Sequence, residues 1–360
     1  MPELPPPHVV RAVEKNRADL QRQARELAPP PFALLELAMG SMVTQAIYVA
    51  AELRFAEALV DGPLSPADIA AKVGANEEAV ARVLRLLASH GIFEGQQDGT
   101  YTLTPMADAL RADHPMSMRD IAVLMGHPIH WEDWGHFLDS VITGEPSLPK
   151  LRGMGAFEYL EHNPEYGSVF INGMGNMSST ETYPVVGAYD FSQFGTVVDF
   201  CGGQGGLLAG ILQSAPGVRG ILADPRVANN GAVEFLAAQG VGDRVTTHDG
   251  DLFDPVVTGG DAYVLKHIVH DWPEEQALQI LRNVRAVIQP GGKLLLVEMV
   301  PTEDNEPHSG KLVDLWLMLL VGGKERTPGQ YADLLSRADF KLERVVETAA
   351  AVSIIEAIPA

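Results

Sequence analysis

The stretch Thr196-Val197-Val198-Asp199-Phe200-Cys201-Gly202-Gly203-Gln204-Gly205-Gly206 joins a short apolar run to a glycine-rich turn. Three further apolar runs, at 220–224, 261–265 and 293–298, follow it with helical patterns between them. Strands that alternate with helices of this length predict an α/β fold with a mostly parallel, doubly wound sheet. Ligands of such sheets bind at the carboxyl ends of the strands, which is where the glycine-rich turn lies.

The glycine-rich turn predicts a cofactor site. Glycines between a strand and a helix let a ligand approach the backbone and the helix N-terminus. A dinucleotide fingerprint is incomplete because Leu208 occupies its last glycine position, and a P-loop is absent because Gly291-Gly292-Lys293 continues into Leu294. The acids that remain favour a nucleoside that bears an amino acid. Asp199 and the loop would hold the amino-acid part, and Asp224 would take the ribose hydroxyls.

Two further motifs follow strands. Asp251 and Phe253, in Gly250-Asp251-Leu252-Phe253-Asp254-Pro255, could bind and cover an adenine ring, or could form only a turn. In Lys266-His267-Ile268-Val269-His270-Asp271-Trp272-Pro273, His270 is predicted as a general base at the mouth of the sheet; the alternative is a polar helix-entry residue. Two histidines three apart with an acid could also be metal ligands. No third ligand with suitable spacing lies nearby in the sequence, so we predict no metal.

Composition excludes several function classes. The 360 residues carry a net charge of −21, which repels nucleic acid and anionic lipid. A single cysteine cannot form an intrachain disulfide, and this favours a reducing, cytoplasmic location. The N-terminus lacks the pattern of a signal peptide. The longest uncharged stretch, 37–51, is shorter than the roughly 20 apolar residues that span a bilayer, so we expect no membrane segment.

The N-terminal third has a different organisation. Residues 1–30 are either a loose arm or a helix over 9–27 that packs on a partner subunit. The apolar segment 32–59 predicts a helix that a second copy of the chain would cover. Residues 65–103 give helix, helix and hairpin, a winged-helix pattern, but the balanced charges of the second helix argue against DNA binding. Residues 116–183 are rich in aromatic and methionine side chains, suited to a core or to a flat ligand pocket.

Three motifs in order carry a resemblance to a known family: Leu265-Lys266-His267-Ile268-Val269-His270-Asp271-Trp272, Pro290-Gly291-Gly292-Lys293-Leu294-Leu295-Leu296-Val297-Glu298 and Gly322-Gly323-Lys324-Glu325-Arg326-Thr327. The chain resembles, over nearly its whole length, the S-adenosylmethionine-dependent O-methyltransferases of the plant caffeate and bacterial polyketide and hydroxyindole type. This resemblance implies an N-terminal, mostly α-helical, winged-helix-like dimerisation domain (1–115), connecting helices that line the substrate pocket (116–183) and a Rossmann-like methyltransferase domain (184–360).

The resemblance also implies roles for single residues. His270 matches the catalytic base, and Glu298 and Glu325 match the two glutamates that flank it. The residues predicted to bind S-adenosylmethionine, and its product S-adenosylhomocysteine, are Asp199, Gly202, Gly203, Gly205, Asp224, Asp251, Phe253, Lys266 and Trp272. The predicted substrate contacts are Phe170, Met174, Met177, Asp271, Trp316 and Met318, to which Trp131 and Trp134 are added for their suitability to a flat ligand.

The predicted function is methyl transfer, without a metal, to a hydroxyl of a small aromatic acceptor by a homodimer. Methylation of nitrogen or carbon, and other cofactor-assisted chemistry, are alternatives within the same fold. A non-catalytic cofactor sensor that uses the winged helix for a partner is an alternative from another class, and a nicotinamide oxidoreductase is a third. Two positions depart from the family pattern: Cys201 and Asp339 stand where glycine is usual. A side chain at Cys201 is expected to weaken or adjust cofactor binding.

Overall fold

The computed structural model describes residues 4–225, 231–254 and 257–360. The chain divides into two compact units. One, the sheet unit, comprises Met1–Asp19, Asp139–Lys150 and Thr180–Ala360; the other, the helical unit, comprises Leu20–Leu138 and Leu151–Ser179. The division at 1–115, 116–183 and 184–360 that the resemblance implies stays a prediction.

Helices dominate the first half of the chain. The described α-helices are α1 Pro7–Glu26, α2 Pro30–Glu52, α3 Phe55–Ala58, α4 Pro66–Val73, α5 Glu77–Ser89, α6 Pro105–Asp108, α7 Arg119–Gly126, α8 Pro128–Gly135, α9 Phe137–Thr143, α10 Ser147–Arg152, α11 Ala156–His162, α12 Pro164–Ala188, α13 Gly206–Ser214, α14 Ala232–Ala238, α15 Glu274–Val287, α16 Gly310–Leu320 and α17 Pro328–Ser336. Short 3-10 turns cover Phe191–Gln193, Gly242–Arg244 and Val269–Asp271. The described strands are β1 Phe93–Gly95, β2 Tyr101–Leu103, β3 Thr196–Phe200, β4 Arg219–Ala223, β5 Val245–His248, β6 Ala262–Lys266, β7 Lys293–Met299, β8 Phe340–Glu347 and β9 Val352–Pro359.

The N-terminal arm is the helix α1, so the helical alternative is correct. Helix α2 is longer than the uncharged stretch 37–51 that the sequence argument counted. By length and composition alone, α2 is the one helix among the described residues that could cross a bilayer, and only 6% of its most apolar window is buried within the chain. Its exposed apolar side chains need a cover, which is the condition that the sequence predicted for a surface shared with a second copy.

Helices α4 and α5 and the hairpin β1–β2 form where the capping pattern predicts. The hydroxyl of Ser65 accepts a hydrogen bond from the amide of Asp68, and Asn76 caps α5 through the amide of Ala79. The two strands pair antiparallel, with Glu94 opposite Thr102. Their apolar faces pack around a core that includes Phe55, Leu84 and Phe93.

The main sheet of the described residues has seven strands in the order β5-β4-β3-β6-β7-β9-β8. The strands β3 to β7 are parallel, and β9 pairs antiparallel with both β7 and β8. The side chains of β3, β6 and β7 are almost wholly buried, because helices cover both faces of the parallel part. The carboxyl ends of β3, β4, β6 and β7 therefore meet at one edge. The loops that follow these ends carry the predicted site residues of the sheet unit.

Candidate active site

The glycine-rich loop is shaped by three residues in the left-handed backbone region. Cys201, Gly203 and Gly205 have φ of 59°, 60° and 83°. Gly205 is the N-cap of α13, so the loop directs the first amides of that helix toward the strand ends. Glycine tolerates such φ values and a side chain does not, which accounts for the family's glycine at the position of Cys201.

Asp199 lies at the end of β3 and is 1% exposed. Within the described residues, neither carboxylate oxygen has a hydrogen-bond partner. A Cβ on Gly202 would lie 2.3 Å from Oδ2 of Asp199, so only glycine leaves room for this carboxylate. Burial raises the pKa of the Asp199 carboxyl to about 7, against the opposing charge of Lys266. A buried carboxylate without a partner is the site that a cationic ligand group would complete.

Asp224 lies beyond the end of the neighbouring strand β4 and is 2% exposed. Its Oδ2 accepts a hydrogen bond of 3.0 Å from the amide of Gly203, and the amide of Cys201 donates to the carbonyl of Ala223. These bonds join the loop to β4 and bring the two predicted cofactor acids to the same edge of the sheet.

The aromatic residues predicted to cover an adenine ring contact each other. The rings of Phe253 and Trp272 lie 4.8 Å apart at an interplanar angle of 87°. Oδ1 of Asp251 accepts a hydrogen bond from the amide of Phe253 at 2.9 Å, so this predicted turn forms and fixes the aromatic side chain. Phe253 is 40% exposed and has an open face to offer a ligand.

His270 occupies a 3-10 turn after β6 and is 6% exposed. Its Nδ1 lies 2.8 Å from Oε1 of Glu325 and 3.3 Å from Oε2 of Glu298, and its Nε2 lies 3.5 Å from Oδ1 of Asp271. Burial alone would lower the pKa of His270, but the three carboxylates outweigh it and raise this pKa to about 10. Because Nδ1–H is held by Glu325, Nε2 is the nitrogen left to exchange a proton.

Glu298, at the end of β7, organises the turn that carries His270. Its Oε1 accepts hydrogen bonds from the amides of Val269 at 2.9 Å and Ile268 at 3.3 Å. The side chain is fully buried, and burial raises its pKa against the attraction of His270. The carboxylate thus holds both the backbone and the ring of the histidine turn.

The segment 322–327 braces the same turn from the other side. The amide of Lys324 donates to the carbonyl of His270 at 2.9 Å, and the amide of Glu325 donates to Oδ1 of Asp314 on α16 at 2.8 Å. A Cβ on Gly323 would lie 2.0 Å from the carbonyl oxygen of His270, so this position requires glycine. The sequence quoted the motif but did not identify Asp314 or the role of Gly323, since neither contact follows from spacing along the chain.

Lys266 and His267 share a partner that sequence reasoning missed. Glu181 on α12 binds Nζ of Lys266 at 3.0 Å and Nε2 of His267 at 2.9 Å. The argument that no third metal ligand lies near His267 and His270 is wrong in space, because ligand atoms of both and of Glu298 lie within 4.8 Å of one another. Nε2 of His267 and Nδ1 of His270 are already bound to Glu181 and Glu325, so the arrangement serves proton and charge chemistry.

The predicted substrate residues divide between the two units. Trp131 and Trp134 on α8, and Phe170, Met174 and Met177 on α12, belong to the helical unit, whereas Asp271, Trp316 and Met318 belong to the sheet unit. All eight side chains are partly exposed and none lies in a buried core. The indole nitrogens of Trp131 and Trp134 donate to the carbonyl of Met125 and to Nε2 of His130, which fixes both rings.

Comparison with known proteins identifies the family. Residues 134–341 match the O-methyltransferase domain, and residues 35–122 match the O-methyltransferase dimerisation domain. The chain belongs to the S-adenosylmethionine-dependent O-methyltransferases. It is 41% identical to the phenazine O-methyltransferase of Lysobacter antibioticus over 346 residues, which is 96% of this chain and 99% of the relative.

Two other relatives are informative. The 8-amino-8-demethylriboflavin N,N-dimethyltransferase of Streptomyces davaonensis is 33% identical over 82% of this chain and 86% of its own length. An O-methyltransferase from neocarzinostatin biosynthesis, crystallised with S-adenosylmethionine and 2-hydroxy-5-methyl naphthoic acid, is 29% identical and superposes with a TM-score of 0.75, over 88% of this chain and 96% of the other.

These matches confirm the predicted family, fold and cofactor. The protein is an S-adenosylmethionine-dependent methyltransferase, and metal independence fits its family. The dimerisation domain makes it a homodimer and accounts for the exposed apolar side chains of α2. The relationship to biosynthetic enzymes is consistent with a soluble protein, and no nucleic acid or membrane is indicated. Asp199 and Gly202 fit the cofactor, because a buried, unpartnered carboxylate beside an open loop suits its ammonium group.

Proposed function

We propose that this enzyme transfers a methyl group from S-adenosylmethionine to a hydroxyl of a small aromatic acceptor, with His270 as the general base, in the cytoplasm. The observation that supports this most is the pair of buried carboxylates, Glu298 and Glu325, on Nδ1 of His270. That arrangement fixes one tautomer, leaves Nε2 for the acceptor and stabilises the imidazolium that forms when the proton arrives.

The raised pKa of His270 matches this base to a phenol. A free phenol has a pKa of about 10 and a free imidazole about 6.5, so full proton transfer between them costs nearly 5 kcal/mol. The carboxylates around His270 raise its pKa to about 10, which brings the two groups close to balance. In return, the neutral imidazole is a minor form at pH 7, so the reaction should accelerate as the pH rises.

Residues at the strand ends would hold the cofactor. Asp199 and the loop Gly202, Gly203 and Gly205 would bind its amino-acid part, Asp224 the ribose, and Asp251, Phe253 and Trp272 the adenine, with Lys266 beside them. When bound, the cofactor supplies a methyl group on a cationic sulfur, already a good electrophile. Alignment of the acceptor oxygen with that methyl group by the protein can contribute roughly 7–11 kcal/mol to lowering the barrier.

The acceptor would lie among the aromatic and methionine side chains already predicted from the sequence. Asp271, 3.5 Å from Nε2 of His270, would help to orient the acceptor hydroxyl. The aromatic and thioether groups of α8, α12 and α16 suit a flat ring system. The relative crystallised with a hydroxylated naphthoic acid supports an acceptor of this class.

The decisive experiment separates chemistry from binding. His270→Ala should lower kcat by about a hundredfold or more on a phenolic acceptor while the dissociation constant for S-adenosylmethionine stays within about threefold of the wild type. His90→Ala, at an exposed histidine of α5's C-cap, is the matched control. A wild-type rate in the His270 variant would disprove the assignment. A panel of phenols, hydroxynaphthoates and hydroxyphenazines, scored by mass gain, would identify the acceptor.

A nitrogen acceptor is the second candidate, favoured by the relationship to the N,N-dimethyltransferase. An aromatic amine is far easier to attack in its neutral form and does not need a base before attack. The same panel should therefore include the matching aminoarenes. Activity on amines that survives His270→Ala would favour this candidate.

A further inference from the structure

Glu181 is a buried charge that the reaction described above does not use. The side chain is 4% exposed, on the part of α12 that belongs to the sheet unit. Burial would raise the pKa of this carboxyl, but His267 and Lys266 outweigh that effect and lower the pKa to about 2. Glu181 is therefore a permanent anion, and a buried anion is retained only when its partners compensate its desolvation.

The partners of Glu181 are two consecutive residues at the end of β6. Lys266 Nζ lies 3.0 Å from Oε2, and His267 Nε2 lies 2.9 and 3.1 Å from the two carboxylate oxygens. His267 has a φ of 53°, in the left-handed region that an imidazole-bearing residue occupies only at an energetic cost. Its amide donates to the carbonyl of Val297, so backbone and ring are both held in place.

The other face of the His267 ring adjoins the catalytic cluster. Nδ1 lies 4.0 Å from Oε2 of Glu298, and the ring centroid lies 5.0 Å from that of His270. Within the described residues, Nδ1 of His267 makes no hydrogen bond. Carboxylate and imidazole thus alternate in one buried series: Glu181, His267, Glu298, His270 and Glu325.

We propose that Glu181 is a positioning residue that acts through His267 to keep Glu298 ionised and thereby tunes the proton affinity of the base His270. The inference rests on the proposed role of His270. A carboxylate on one nitrogen of an imidazole favours positive charge on the ring, and that charge stabilises the neighbouring carboxylate of Glu298. Glu298 in turn stabilises the protonated form of His270.

Two opposing effects on His270 must be compared. Positive charge on His267 repels a protonated His270 across 5.0 Å between ring centroids, whereas the Glu298 carboxylate attracts it across 3.3 Å. The nearer attraction dominates, because Coulomb energy falls with distance. The other groups that face this cluster are Asp271 on the same turn, Asp314 on α16, Arg326 after α16 and Tyr331 on α17. None of these four is altered by a change at Glu181.

The test is the pH dependence of kcat/KM between pH 6 and 10.5. Glu181→Gln removes the charge with little change of shape, and should move the midpoint of the rising limb to a pH about 0.5–1 lower. Glu181→Asp keeps the charge and should restore a midpoint near that of the wild type. Glu165→Gln, at an exposed glutamate on the same helix, is the matched control and should leave the profile unchanged. Circular dichroism melting verifies that each variant folds.

A double-mutant cycle tests the route. In a His267→Gln background, Glu181→Gln should cause no further movement of the midpoint, because the pathway has already been cut. An additive shift would contradict the role of His267. If Glu181→Gln retains the wild-type midpoint while Glu325→Gln moves it, the proposal for Glu181 is wrong. If neither moves it, the limb does not belong to His270 and the proposed base fails. Should Glu181→Gln not fold, a wild-type midpoint in His267→Gln together with a shifted one in Glu325→Gln overturns the proposal.

Discussion

Oε1 of Glu325 lies 2.8 Å from Nδ1 of His270, and the residue before it in the chain, Lys324, donates its amide to the carbonyl oxygen of the same histidine. The loop after α16 therefore binds the ring and the backbone of His270 with adjacent residues. A displacement of this loop would move the charge partner and the position of the base together. The histidine turn and the 322–327 motif work as one unit, although about 55 residues of sequence separate their central members.

The first prediction concerns the pH profile. Since the pKa of His270 is raised to about 10, the neutral base is scarce at low pH, and kcat/KM should rise about tenfold per pH unit from pH 7 toward pH 9. Glu325→Gln removes one carboxylate from Nδ1, lowers the pKa of His270 and should move the limb to lower pH. The measurement is initial methylation rate against pH at subsaturating acceptor.

The acceptor hydroxyl itself titrates near pH 10, so a control is needed. A limb that came from the acceptor would keep its midpoint in Glu325→Gln and would shift between phenols of different acidity. The assignment to His270 requires the opposite on both counts.

The second prediction exploits the close approach at Gly323. A Cβ there would meet the carbonyl oxygen of His270 at 2.0 Å, so Gly323→Ala must displace the histidine turn. A misplacement of this size should lower kcat by tenfold to a hundredfold and destabilise the protein by about 1–3 kcal/mol. Gly329→Ala is the matched control, since its Cβ would meet nothing within 4 Å. Equal rates for the two variants would show that the turn tolerates the displacement.

The third prediction concerns cofactor binding. Burial raises the pKa of Asp199 to about 7, and an ammonium group binds the ionised carboxylate, so the affinity for S-adenosylmethionine should increase from pH 6 to pH 7.5. A free α-amino group loses its proton at about pH 7.7–8.0, so the affinity should decline again above that range. Isothermal titration calorimetry of the wild type and Asp199→Asn checks this. An acidic limb that persists in the asparagine variant would assign it to another group.

Much of the sheet unit was predictable because its signals are local. A parallel strand, its glycine turn and the next helix are contiguous in sequence, so β3, β4, β6 and β7 were found within a residue or two. The strands β8 and β9 were not predicted. Their pairing with each other and with β7 is set by long-range register, and β8 is largely exposed on one face, which weakens its apolar pattern.

The site was predictable where motifs carried it and not where space did. His270, Glu298 and Glu325 lie together as the resemblance implied. Glu181 was missed because a single acid in an apolar helix gives no sign that Lys266 and His267 lie against it. The same lack of spatial information hid the proximity of Glu298 to both histidines.

The last prediction concerns the departure at Cys201, whose φ of 59° places a side chain in the left-handed region. Such a backbone costs roughly 1–2 kcal/mol for a residue with a Cβ, and most for β-branched residues. Cys201→Val should therefore lower the free energy of unfolding in urea by about 1–2 kcal/mol. Cys201→Gly should stay within about 1 kcal/mol of the wild type, because relief of strain is offset by greater freedom of the unfolded chain and by lost packing against the core. The glycine variant should also bind S-adenosylmethionine at least as tightly as the wild type, since it removes the Cβ from the loop. Weaker binding by Cys201→Gly would mean that the thiol contributes a favourable contact, and the strain argument would then not explain why the family prefers glycine here.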